Sequence, residues 1–93
     1  NQLHVVVRFV TSRAMTLDSL QPGKGAVIAA IDWGALPPAD AKRMRALGFE
    51  EGVEVRMAHH GGFGGRDPLA ITIGRMTIAL RKVQAAAISL KAG

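Results

Sequence analysis

Cysteine and tyrosine are absent from this chain, and Trp33 and three phenylalanines supply all of its large aromatic side chains. The absence of cysteine excludes a disulfide scaffold, a thiolate metal site and a cysteine nucleophile, and it fits a reducing compartment. Long apolar runs are also absent. The run from Leu3 to Val10 is far shorter than the roughly 20 residues that span a bilayer, and His4 and Arg8 interrupt it. We therefore expect a cytoplasmic protein that does not insert into a membrane.

Signatures of catalysis are scarce as well. The sequence has no nucleophile elbow and no Ser-His-Asp spacing, and its carboxylates fall mostly at turns or at exposed strand positions. The acidic pair Glu50-Glu51 precedes Gly52, which is typical of a solvated turn. The glycine-rich segment 59–66 lacks the Walker pattern and connects two predicted strands, so it offers no helix N-terminus to a phosphate. We predict that the protein is not an enzyme.

The charge balance is basic, because 12 Lys and Arg residues stand against 7 Asp and Glu residues and leave a net charge of +5. A nucleic acid, an anionic membrane or an acidic protein patch would each complement such a charge. A small nucleic-acid-binding barrel is therefore one alternative function. Barrels that bind single strands stack bases on aromatic side chains, however, and these are few here. We favour a protein partner over a nucleic acid.

One stretch of the chain predicts a helix over about residues 38–47 that ends at a glycine and leads into a strand. Pro38 suits the first helical position, because its φ is already helical and its missing N–H has no partner there. Gly48 falls where a left-handed residue is needed after the helix. With that assignment, Met44 and Phe49 make the apolar contact of a Schellman ending.

Lys42, Arg43 and Arg45 on this helix are the only local concentration of basic residues. Because successive helical residues are rotated by about 100°, these three side chains point to different sides and form a basic collar around the helix. They compensate the negative end of the helix dipole. They also offer a docking surface for an acidic partner, and we predict that they bind one.

The remainder of the chain predicts short strands and turns. Apolar or alternating segments of strand length occur at 26–31, 53–57, 69–73, 76–80 and 87–90. Gly74-Arg75 between two of them is the signal of a type II′ hairpin, and residues 81–86 suit a single helical turn. We predict a mainly β fold, a small bent antiparallel barrel of about five strands with one short helix.

The first 14 residues are set apart from this pattern. Residues 3–10 are rich in β-forming residues and suit a strand of their own, whereas Met15 begins a segment that would make a native start. We interpret residues 1–14 as an N-terminal extension, either an extra strand or a cloning remnant. An apolar strand there would also allow pairing between chains in a homo-oligomer.

His59 and His60 are the candidate metal ligands. Adjacent residues of a strand point to opposite faces, so the pair does not easily chelate one ion unless the chain bends. A zinc site needs about four ligands, and His4, an acidic residue or a second chain would have to complete it. The sequence requires no cofactor. Binding of Zn or Fe(II), with a metal-bridged oligomer as its consequence, is the other alternative function.

Four blocks of this sequence, in order over about residues 15–91, resemble the FeoA family. They are LQPGKGAVI at 20–28, RMRALGFEEGVEV at 43–55, DPLAI at 67–71 and IALRKVQAAAI at 78–88. The most specific part is Leu-Gly-x-x-x-Gly-x-x-Val at the end of the helix, together with the later Ala-Leu-Arg-Lys. Residues 15–93 then form the FeoA-like domain, and residues 1–14 precede it.

The resemblance implies an SH3-like barrel that serves bacterial ferrous iron uptake without catalysis. It also implies a partner, the membrane permease FeoB with its cytoplasmic GTPase domain, which would recruit the protein to the inner face of the membrane. The family motif falls on Arg43, Arg45, Leu47, Gly48, Gly52, Asp67, Pro68, Leu80 and Arg81. From Leu47 onwards these residues are expected to be structural, with glycines at turns and leucines in the core.

Overall fold

The computed structural model describes residues 15–60 and 67–91, and within them the fold is mainly β. The strands are β1 (Gly25–Ile31), β2 (Glu54–His60), β3 (Leu69–Ile73), β4 (Met76–Leu80) and β5 (Ile88–Leu90). They form one antiparallel sheet in the order β4-β3-β2-β1-β5. The helices are α1 (Pro38–Ala46) and α2 (Lys82–Ala85), with 3₁₀ turns at Leu17–Ser19 and Trp33–Ala35. The expected strand at 3–10 and most of the expected glycine-rich loop lie outside the described residues.

The sheet is bent so that its two end strands share one core. Leu80 of β4 and Leu90 of β5 belong to the same buried cluster, although β4 and β5 lie at opposite ends of the strand order. Two irregularities in the strand register assist the bend, one between Ile28 and Ala30 in β1 and one between Met57 and His59 in β2. A bulge of this kind inserts an extra residue and increases the local twist. The predicted small, bent antiparallel fold is confirmed.

Strand β3 follows the predicted alternation, because Leu69, Ile71 and Ile73 are buried and the two residues between them are half-buried. Strand β4 follows it only in part. Leu80 is fully buried, but Met76, which lies at the same phase of the alternation, is 44% exposed. Met76 lies beside the hairpin turn, on the last strand of the sheet, where no further strand covers it in the described part of the chain.

Helix α1 ends as predicted. Gly48 adopts a φ of +102°. The N–H of Phe49 donates to the carbonyl of Met44 at 3.1 Å, and the N–H of Gly48 donates to the carbonyl of Arg45 at 3.0 Å. These two bonds define the Schellman motif. Met44 and Phe49 are both buried, so the helix end is anchored in the core.

Helix α2 is a single turn, as predicted, and occupies the four residues Lys82–Ala85. The side-chain oxygen of Gln84 accepts a hydrogen bond of 2.9 Å from the N–H of Arg81, the residue that precedes the helix. Gln84 and Ala85 are buried, so this turn packs against the core, where it contacts the 3₁₀ turn Leu17–Ser19. No helix in the described part of the chain is long and apolar enough to cross a bilayer.

Candidate partner-binding surface

The basic collar lies on the exposed surface of helix α1, because the apolar residues of the helix face the core. Ala41 and Met44 are buried, which fixes the direction of the core. Lys42, Arg43 and Arg45 are exposed. At about 100° per residue, Lys42 and Arg43 project on the outer flanks of the helix, whereas Arg45 lies closer to the border with the core.

Arg45 is held in place by an aromatic side chain from outside the helix. Its guanidinium carbon lies 4.3 Å from the centroid of the Trp33 ring, which is a cation–π distance. Trp33 lies in the 3₁₀ turn that precedes α1 and is half-buried, packed against the core. A guanidinium that stacks through its flat face keeps its N–H edges available for a carboxylate. Trp33 therefore holds the guanidinium of Arg45 in place at an exposed position.

The charges of the collar are not neutralised within the described chain. No ion pair joins Lys42, Arg43 or Arg45 to a carboxylate in residues 15–60 or 67–91. Asp40 is the acidic residue of the first turn of α1 and is half-buried. Three exposed cations on one short helix, one of them oriented by an aromatic ring, form a surface suited to an acidic protein patch.

Trp33 is the residue of this surface that the sequence did not single out. Trp33 begins a 3₁₀ turn in which the N–H of Leu36 donates to the carbonyl of Trp33 at 3.2 Å. Leu36 is buried and anchors the turn. The available signal was the presence of the only tryptophan just before a helix that carries two arginines, but nothing local identifies which arginine it meets.

The histidines do not lie where the sequence suggested. His59 and His60 were expected in the glycine-rich loop, but β2 continues through both of them. The reason is that pairing with β3 resumes after the bulge, with His59 opposite Ala70 and His60 opposite Leu69. His59 is exposed. Consecutive strand positions belong to opposite faces of a sheet, so this register separates the two positions.

A metal site built from side chains of one chain is not evident near His59. Among the residues that the structure describes, no group of three or more His, Asp or Glu side chains converges so that it would hold an ion. The collar and the histidines also lie on different elements, α1 and the end of β2. The structure therefore does not bring the two sets of predicted site residues together.

The remaining motif residues lie at turns, in the core or beside α2. Leu80 is fully buried and Leu47 is partly buried against the core. Gly52 has a φ of +87°, and its N–H donates to the carbonyl of Ile28 at 2.9 Å. Asp67 accepts a hydrogen bond from the backbone of α2. Pro68 and Arg81 are exposed, and the peptide bond before Pro68 is cis.

Comparison with solved structures relates this fold to proteins of iron uptake. FeoA of Stenotrophomonas maltophilia, solved with zinc, is 36% identical, with a TM-score of 0.69 over 84% of this chain and 91% of that one. It is described as an SH3 domain protein and a candidate activating factor of bacterial ferrous iron transport. FeoA of Chlorobium tepidum is 25% identical, with a TM-score of 0.69 over 82% of this chain and 68% of that one.

More distant likenesses concern the fold alone. A manganese-dependent transcriptional repressor is 19% identical, with a TM-score of 0.69 over 84% of this chain and 41% of that one. No curated protein sequence matches the chain significantly. The FeoA domain family, in contrast, matches residues 15–92, which include every described element. This match and the 36% identity over most of a solved FeoA show that the chain belongs to the FeoA family.

Proposed function

We propose that this protein is a non-enzymatic accessory protein of bacterial ferrous iron uptake that binds the cytoplasmic GTPase domain of a FeoB-type permease through its basic collar. Membership of the FeoA family supports the pathway, and the description of the Stenotrophomonas maltophilia relative as a candidate transport activating factor supports the accessory role. The observation that carries the choice of surface is the stack of Arg45 on Trp33 beside two further exposed cations.

The expected partner surface is acidic. Individual exposed ion pairs contribute only about 0.2–1 kcal/mol each, so the collar needs more than charge to hold a partner. The oriented guanidinium of Arg45 supplies this, because Arg45 loses less side-chain freedom on binding a carboxylate through two N–H groups. Lys42 and Arg43 accelerate association by long-range attraction. The protein acts in the cytoplasm and reaches the inner face of the membrane through its partner.

The experiment is a calorimetric titration of the cytoplasmic domain of FeoB from the same organism with the full chain. We expect Arg43→Glu/Arg45→Glu to weaken binding at least tenfold, which corresponds to about 1.4 kcal/mol. The matched control is Lys24→Glu/Lys91→Glu, which changes the net charge equally at exposed positions away from α1. Equal affinity of the two double variants would remove the collar from the interface.

Metal binding is a second candidate, favoured by the zinc in the Stenotrophomonas maltophilia structure. His59 and His60 of one chain would contribute ligands, and a second chain would complete the site and produce a metal-bridged oligomer. Binding of nucleic acid is less favoured, because the only tryptophan of the chain is covered on one face by Arg45. That face is not free to stack on a base.

A further inference from the structure

In the part of the chain that the structure describes, β4 is the longest strand at an end of the sheet, and it carries no charge, proline or bulge. β4 is the last strand of the sheet in residues 15–60 and 67–91, and it pairs with β3 over all of its five residues without a bulge. Its sequence, MTIAL, contains no charge and no proline. Natural edge strands are usually blunted by a lysine, a proline or a bulge.

The register identifies which backbone groups face outwards. Ile73 pairs with Met76 across the two-residue turn Gly74-Arg75, and the pair that flanks such a turn is hydrogen-bonded. Because bonded and non-bonded pairs alternate in an antiparallel ladder, Thr77 and Ala79 belong to non-bonded pairs. The 3.2 Å contact between the Thr72 and Thr77 hydroxyls agrees with the close side chains of such a pair. The N–H and C=O groups of Thr77 and Ala79 therefore point away from β3.

A shallow hollow accompanies this edge on the outer face of the sheet. It has a volume of about 270 Å³, and its lining includes His59, Pro68, Ala70, Thr77 and Ala79. Ala70 and Ala79 are opposite each other in the register. The hollow forms above them because their side chains are small. A strand that pairs with β4 places every second side chain on this face, so an apolar side chain opposite Ala79 would fill the hollow.

The charged residues at the two ends of β4 indicate which kind of strand would pair with its edge. Arg75 precedes the strand and Arg81 and Lys82 follow it, and all three are exposed. Two copies of β4 would form the largest number of hydrogen bonds in the antiparallel register that places Thr77 opposite the partner's Ala79. In that register, Arg75 lies opposite the partner's Arg81. Like charges that face each other across strands are destabilising. The segment 1–14 of the chain itself contains Arg8 and Arg13 but no Asp or Glu, so its charge does not fit either.

We propose that the β4 edge binds an extended segment of another protein, in which a short apolar strand is flanked at both ends by Asp or Glu. The segment adds an antiparallel strand through four hydrogen bonds to Thr77 and Ala79. Its terminal carboxylates meet Arg75 and Arg81, and an apolar side chain enters the hollow beside Ala79. This surface is separate from the basic collar, and the inference does not depend on the identity of the partner that the collar binds.

The test uses the ¹⁵N-labelled full chain and the blocked peptide Glu-Thr-Val-Val-Val-Thr-Glu, with Lys-Thr-Val-Val-Val-Thr-Lys as the matched peptide. We expect the acidic peptide alone to shift the amide signals of Thr77 and Ala79 and to slow their hydrogen exchange. The amide of Ile78 faces β3 and should change little. Peptide shifts confined to α1, or equal shifts with both peptides, would overturn the proposal.

Three variants of the protein test the proposal further. Arg75→Glu/Arg81→Glu should reverse the preference, so that the lysine peptide binds at least tenfold more tightly than the acidic one, whereas Lys42→Glu/Arg43→Glu on α1 should leave the preference unchanged. Ala79→Pro should abolish binding, because it removes an outward N–H and leaves the ladder with β3 intact. Slow exchange of Thr77 and Ala79 in the free chain, without peptide binding, would show that another segment already covers the edge and would refute the proposal.

Discussion

The carboxylate of Asp67 accepts a hydrogen bond of 2.5 Å from the backbone N–H of Lys82, the first residue of α2. Asp67 lies two residues before the start of β3, and Lys82 lies two residues after the end of β4. The bond therefore joins the entrance of the β3–β4 hairpin to its exit. It also satisfies one of the N–H groups that have no partner inside a helix. Asp67 of the family motif thus connects the two ends of this hairpin.

Replacing Asp67 by alanine should lower the free energy of unfolding by about 0.5–2 kcal/mol, the range for loss of a helix-capping carboxylate. We expect the lower half of this range, because the bond is exposed and α2 has only four residues. Urea denaturation measures the change. Asp67→Asn retains an acceptor oxygen and should recover most of the loss. Equal destabilisation by both substitutions would show that the hydrogen bond is not the cause.

Gly48→Ala should destabilise the protein through the backbone and not through a steric clash. The φ of +102° is unfavourable for a residue with a side chain, and a left-handed alanine costs about 1–2 kcal/mol. The nearest atom to an added Cβ would be Cδ1 of Ile73 at 3.9 Å, which is ordinary contact. Gly34→Ala is the control, since Gly34 lacks a positive φ. Thermal unfolding should show a lower midpoint for Gly48→Ala alone, and equal midpoints for the two variants would contradict the prediction.

The stack of Arg45 on Trp33 should be measurable as a coupling energy. In a double-mutant cycle of Trp33→Leu and Arg45→Met, followed by urea denaturation, we expect a coupling of about 0.5–1 kcal/mol, the value for exposed cation–π pairs. Methionine preserves the unbranched apolar bulk of the arginine side chain but removes its charge. The same cycle with Arg43→Met should give a coupling near zero. A coupling at position 45 no larger than that at position 43 would refute the contact in solution.

Zinc should raise the molecular mass of the full chain if His59 and His60 bridge two copies. Sedimentation equilibrium with and without Zn²⁺ measures this, and His59→Ala/His60→Ala should abolish the increase. Lys24→Ala/Lys91→Ala is the control, because both lysines are exposed and neither is a candidate metal ligand. An unchanged mass in wild-type protein, or an increase that persists in the double variant, would remove this pair from any metal site.

Much of the fold was predictable wherever the signals are local. The end of α1 depends on Met44, Gly48 and Phe49, which lie within six residues of one another and act through local backbone geometry and a local apolar contact. The alternation of β3 is similarly contained in five consecutive residues. The FeoA blocks also allowed the family to be identified before any contact was known. The extent of β2 was not predictable. Its last two residues pair with Ala70 and Leu69 only after a bulge, and the bulge interrupts the alternation of the strand.

The sequence by itself determined the helix with its cap, the mainly β class and the family, since each depends on the order of neighbouring residues. Only the tertiary structure decided that Arg45 stacks on Trp33, that Asp67 binds the backbone of α2 and that β4 lies at the edge of the sheet. These relationships join residues that are distant along the chain or depend on the order of strands. They are set by the packing of one shared core, which no local pattern of residues specifies.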